Sequence, residues 1–137
     1  MRAAGHCALI TIGEDGRAQA RTMDPSPPDE RMRVLFVTNP ASRKVAQLAR
    51  DPRVTLYYFD ENSPGYVTLF GSARKIDDRA EKEKRWLDKW TPHYPGGFAS
   101  AAMYEVVPSR IEVVSIAHSI VGDDATWTPP VIELGRQ

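Results

Sequence analysis

The stretch RVTLYYFDENSPGYVTLFGSAR, Arg53 to Arg74, decides the fold class. Its two ends, Arg53 to Phe59 and Tyr66 to Arg74, are rich in β-branched and aromatic residues that suit strands. Between them Asp60 to Pro64 supplies turn residues, so the chain runs strand, turn, strand. Gly71 inside the second strand predicts a bend or bulge of the kind that curls a sheet.

The same pattern repeats outward. Cys7 to Ile12 and Ala18 to Met23 read as strands, and the Asp15-Gly16 pair between them is a hairpin signal. A loop rich in proline and charge, Asp24 to Arg31, leads to a strand over Met32 to Thr38. Downstream, Asp77 caps a charged helix running to Trp90, with Trp86 and Trp90 one turn apart for core or dimer packing. Met103 to Val107 and Arg110 to Ile116 read as two more strands broken at Pro108. Val121 to Gln137 reads as an irregular arm in which Trp127, Val131, Ile132 and Leu134 offer something to dock, on the chain's own barrel or on a partner. Many short strands with two convincing helices predict a mainly β protein, a small antiparallel barrel, rather than a parallel doubly wound sheet. Residues 1–120 form the barrel, and the arm over 121–137 belongs to the same domain.

The chain has 137 residues, enough for one substantial core. Its 18 basic residues balance 18 acidic ones, which argues against a broad nucleic-acid or polybasic membrane surface. No apolar run approaches the roughly twenty residues of a membrane helix. Cys7 is the sole cysteine, so an internal disulfide is excluded, and a buried apolar role suits it better than that of a nucleophile. The absence of a charged leader before the first strand and the lone thiol together predict a soluble, cytoplasmic protein. His6, His93 and His118 lie far apart without a second ligand at metal spacing, so no metal site is expected.

Chemistry gathers at LFVTNPASRKVAQLARDP, Leu35 to Pro52. Asn39 is a good N-cap and Pro40 a good first helical residue, so a helix is expected from Pro40. Ala41, Val45 and Leu48 share one face, Arg43, Lys44 and Gln47 point elsewhere, and pre-proline Asp51 marks the stop. Ser42, Arg43 and Lys44 thus crowd the first turn. Free N–H groups already make that end positive, so two added cations call for an anion, and a phosphate suits the donors on offer. The alternative is that Arg43 and Lys44 are solvated surface charge. No glycine-rich phosphate loop and no nucleophile with a partnered base accompany them.

The segments ARTM (Ala20 to Met23), LFVTN.ASRK..QL..DPRV.L (Leu35 to Leu56) and YVTLFGSARKIDD (Tyr66 to Asp78) together resemble the pyridoxamine 5'-phosphate oxidase-like flavoproteins. KEKRWLDKWTPHYPGG, Lys82 to Gly97, is similar to the bacterial general stress protein branch. The likeness runs from Ala8 to Glu112. It implies a split β-barrel of six to seven antiparallel strands with two short helices, and a homodimer with FMN at the subunit interface. By the same resemblance Arg21 reaches the flavin phosphate or ribityl chain, and Thr22 and Met23 line the isoalloxazine. Val37 and Thr38 meet flavin or ribityl groups, and Ser42, Arg43 and Lys44 hold the phosphate.

Departures from the family pattern are equally specific. Tyr66, counted with the cofactor-binding residues, stands where the oxidase proper has a glutamine before this strand. Val114 stands near the place of a tryptophan, and after Ile116 no Arg-x-His element follows. They argue against vitamin B6 oxidation itself. The expectation is an FMN-dependent oxidoreductase on another small molecule, with a nicotinamide compound as electron donor. Its alternatives are a flavin-binding stress protein without turnover, or the same barrel holding a deazaflavin or a haem.

Overall fold

The computed structural model describes residues 1–2 and 4–135, so the last two positions of the arm lie outside the described residues. The chain folds as strands β1 (Cys7–Ile12), β2 (Ala18–Met23), β3 (Val34–Thr38), β4 (Arg53–Phe59), β5 (Gly65–Ile76), β6 (Ala102–Ser115) and β7 (Val131–Glu133). Helices α1 (Arg43–Arg50) and α2 (Arg79–Arg85) and three short 3₁₀ segments complete it. The strands form one antiparallel sheet in the order β2-β1-β4-β5-β6-β3, with β7 also paired to β6. This is the curled, split barrel expected from the sequence. Among the described residues no helix is long and apolar enough to cross a membrane.

The hairpin of β1 and β2 closes as its sequence requires. Gly16 adopts φ +79°, and Asp15 Oδ1 accepts from the Arg17 amide at 3.1 Å. In β5 the register against β6 shifts between Phe70 and Gly71, so the bend expected at Gly71 is a β-bulge. Gly71 opposes Pro108 and Phe70 opposes Arg110, which leaves Ser109 as the extra residue. A side chain at Gly71 would run into the Val107 carbonyl.

Pro108 therefore does not split β6 in two, as its sequence suggested. Proline cannot donate to a ladder, but the bulge removes the need for that donor, and one strand of 14 residues continues through it. Along its far edge β6 carries β3 on residues 102–106 and β7 on residues 110–112. The arm is thus not wholly irregular, since β7 adds to the chain's own sheet.

The core lies inside the curl, where Leu9, Phe36, Leu56, Leu69 and Val106 are buried and Phe36 stacks on Tyr104 at 5.1 Å. A second apolar cluster joins Leu35, Val37, Ile76 and Met103 to Trp90. This cluster reshapes the expected helix. It is capped by Asp78, which accepts from the Glu81 amide at 2.7 Å, and not by Asp77. It ends at Arg85, after which a 3₁₀ segment at Asp88–His93 drops Trp90 into the core. The Trp90 indole donates to the Asp24 carbonyl at 3.0 Å, and Trp86 meets its ring edge-on at 5.5 Å. Pro92 removes the donor that a continuing α-helix would need.

Glu105, in β6, is buried yet charged. Arg85 and Arg74 donate to it at 2.6 and 2.8 Å, and Arg33 lies 3.7 Å away. Burial works against its ionisation, but these arginines hold its carboxyl below the usual range. One side chain thereby ties β3, β5, β6 and α2 together.

Candidate anion site at the start of helix α1

Helix α1 begins at Arg43 with Ser42 as N-cap, three residues later than Asn39 and Pro40 suggested. Asn39 is occupied otherwise. Its side-chain oxygen accepts from the Ala41 amide at 2.8 Å and its carbonyl accepts from the Ser42 amide at 2.9 Å, closing a turn before the helix. The delay matters because it places Ser42, Arg43 and Lys44 at the end of the helix where amides are free.

Ser42 makes no side-chain cap bond; its hydroxyl lies 3.1 Å from that of Thr38, at the end of β3. Lys44 Nζ donates to the same Thr38 hydroxyl at 2.8 Å. Arg21 approaches from β2, donating to Thr11 Oγ1 at 2.7 Å and to Gln47 Oε1 at 3.1 Å. Thr11 donates in turn to Gln47 Oε1 at 2.7 Å, and Gln47 donates to Gln19 at 2.8 Å. Gln47 is buried, so it does not point away from the core as its helical position implied.

Every tether in this net is neutral. Among the described residues Arg21, Arg43 and Lys44 form no ion pair, and the first turn of α1 holds no acidic residue. Desolvation and then the nearby Arg43 lower the pKa of Arg21, while desolvation and then Arg21 lower that of Lys44. Cations that disfavour one another's charge, without a carboxylate partner among the described residues, are a candidate site for an anion.

The other sequence candidates are placed as follows. Thr22 is exposed and Met23 half-buried beside the core, both on β2 next to Arg21. Val37 sends its side chain into the second apolar cluster, which leaves only its main chain for a ligand. Tyr66 is not part of the cation cluster; it stacks on Tyr57 at 5.6 Å and lines a separate cavity. Thr11, Gln19 and Gln47 were missed as site residues. Their only sequence signal is polarity at positions that strand and helix periodicity turn inward.

The family model for pyridoxamine 5'-phosphate oxidase matches residues 1–115. The chain belongs to that family. No curated protein is matched by sequence. Among solved structures, a Clostridium acetobutylicum protein related to general stress protein 26 of B. subtilis superposes with TM-score 0.81 at 20% identity, over 97% of this chain and 88% of that one. A pyridoxamine 5'-phosphate oxidase-related, FMN-binding protein from Nostoc punctiforme gives 0.68 at 14% identity, over 97% and 88%. General stress protein 26 from Bacillus anthracis gives 0.69 at 15% identity, over 96% and 92%. Likeness at these identities is likeness of fold.

Proposed function

We propose that this family member binds FMN and acts as an oxidoreductase on a small molecule other than vitamin B6. The observation that carries the reading is the group of three cations, Arg21, Arg43 and Lys44, without a carboxylate partner among the described residues. A phosphate monoester bears a charge of roughly −1.5 to −2 near neutral pH, which such a group can balance. Membership of the family and the FMN-binding Nostoc relative support flavin as the bearer of that phosphate.

The residues present suit the cofactor. Arg21 is held by Thr11 and Gln47, so little side-chain freedom remains to be lost on binding. Lys44 and the Ser42 and Thr38 hydroxyls supply further donors, and Arg43 adds charge. Thr22 and Met23 would line the ring, Val37 would meet it through its main chain, and Tyr66 would belong to the cofactor site of a homodimer as a contribution from the partner. When bound, the flavin supplies hydride or single-electron transfer. A nicotinamide compound is the proposed electron donor, and the cytoplasm the proposed location.

The test is an absorbance spectrum of the purified protein, taken again after addition of FMN and removal of the unbound excess. Flavin bands that remain with the protein are expected, and they should fade with the Arg43→Ala, Lys44→Ala double variant as affinity falls tenfold or more. A protein that retains no FMN would overturn the reading. Retention without any donor- or acceptor-dependent rate above free FMN would instead assign it to flavin storage or sensing.

A further inference from the structure

The guanidinium of Arg21 carries only hydrogen-bond donors, so each group bonded to it must present an acceptor. That requirement fixes the surrounding net from Arg21 outward. Thr11 Oγ1 accepts from Arg21 at 2.7 Å, which leaves the Thr11 proton for Gln47 Oε1, also at 2.7 Å. Gln47 Oε1 accepts from Arg21 as well, at 3.1 Å, so the nitrogen of this amide is turned away from the cation. It donates to Gln19 Oε1 at 2.8 Å. Turning the Gln47 amide over would set donor against donor at Arg21. Thr11 and Gln47 are buried, so water could not mend the mismatch.

A carboxylate at position 47 would reach the same two donors and, being charged, would bind them more strongly. Elsewhere in this sheet the buried acceptor for arginines is indeed a carboxylate, Glu105, with Arg74 and Arg85 donating to it. There the charges cancel. Around Gln47 they do not, and Arg21 stands among like charges, with Arg43 acting on Arg21 and Arg21 on Lys44.

We propose that Gln47 is a positioning and specificity-determining residue, whose amide, turned by Gln19, holds Arg21 without cancelling its charge and so reserves that charge for a ligand's phosphate. Gln47 acts through Arg21 and need not touch the ligand. The inference rests on the reading of the three cations as a flavin phosphate site.

The test uses the full-length, flavin-free protein, titrated with FMN and with riboflavin by flavin fluorescence. Gln47→Glu places a carboxylate against Arg21 in nearly the same shape, and Gln47→Met removes the hold without adding charge. The preference for FMN over riboflavin should fall about tenfold or more in Gln47→Glu, and about threefold in Gln47→Met. Riboflavin affinity should stay within about twofold of the parent in both, since neither change concerns the phosphate-free part of the ligand. Urea unfolding shows which variants are folded, and either one alone decides the matter. An unchanged preference in a folded variant, or an equal loss of both flavins, would overturn the proposal, the second outcome marking Gln47 as structural. A parent protein that itself shows no preference for FMN would overturn the phosphate reading, and this inference with it.

Discussion

Lys44 shows how much depends on one side chain. A lysine in the first turn of a helix opposes the local field, and here it is also near Arg21 and partly withdrawn from water. Among the described residues its only polar tether is the Thr38 hydroxyl, 2.8 Å away. Such an arrangement gives the fold itself little stabilisation. Replacing Lys44 by alanine should therefore leave the urea midpoint unchanged or slightly raised, by less than about 0.5 kcal/mol in stability, while FMN affinity falls. A clear loss of stability in urea unfolding would mark Lys44 as structural. At this scale the sequence told where two of the cations stand, because Ser42, Arg43 and Lys44 are contiguous. It did not tell what holds Arg21, because Thr11, Gln19 and Gln47 meet only when strands and helix are assembled.

Among the elements, the pairing of β5 with β6 governs the curl. Gly71 and Pro108 face each other across a bulge, one lacking a side chain where a carbonyl approaches and the other lacking a donor where none is needed. Gly71→Ala should cost about 1–3 kcal/mol, because the colliding atoms are backbone and have little room to move. Equilibrium urea unfolding at constant m-value checks this, and an unchanged midpoint would show that the bulge can open freely. Gly71 was legible as a bend and Pro108 as an interruption. Their mutual compensation was not, since it depends on a register 37 residues apart in sequence that only the folded sheet displays. The later start of α1 and the early end of α2 have a similar origin. Asn39 spends its side chain on a turn, and Trp90 is drawn into the core, so tertiary packing overrides local signals.

Across the whole molecule, Glu105 in β6 joins β5 and the chain entering β3 to α2 through Arg74, Arg33 and Arg85. Its carboxyl titrates below the ordinary range when folded, so its contribution to stability is present above the unfolded value near pH 4 and is lost as pH falls through the folded value. Urea midpoints measured from pH 7 to pH 3 should decline, and Glu105→Gln should flatten part of that decline. The variant should also lose about 2 kcal/mol at pH 7, since several arginines lose their counter-charge while partly solvated. A variant as stable and as acid-sensitive as the parent would contradict this role. The antiparallel barrel was readable from strand patterning and turn residues. Glu105 was not, because a lone glutamate in an apolar strand carries no local mark of the arginines that will surround it.

The central claim is that Arg21, Arg43 and Lys44 hold the phosphate of a flavin. It is tested most directly by titrating the flavin-free protein with FMN and with riboflavin, which lacks the phosphate, following flavin fluorescence at fixed ionic strength. FMN should bind at least a hundredfold more tightly, as expected for two charge-assisted contacts of about 1.5–3 kcal/mol each. The Arg43→Ala, Lys44→Ala variant should remove most of that difference. Equal affinity for the two flavins would contradict the account, leaving the barrel but not the phosphate cradle.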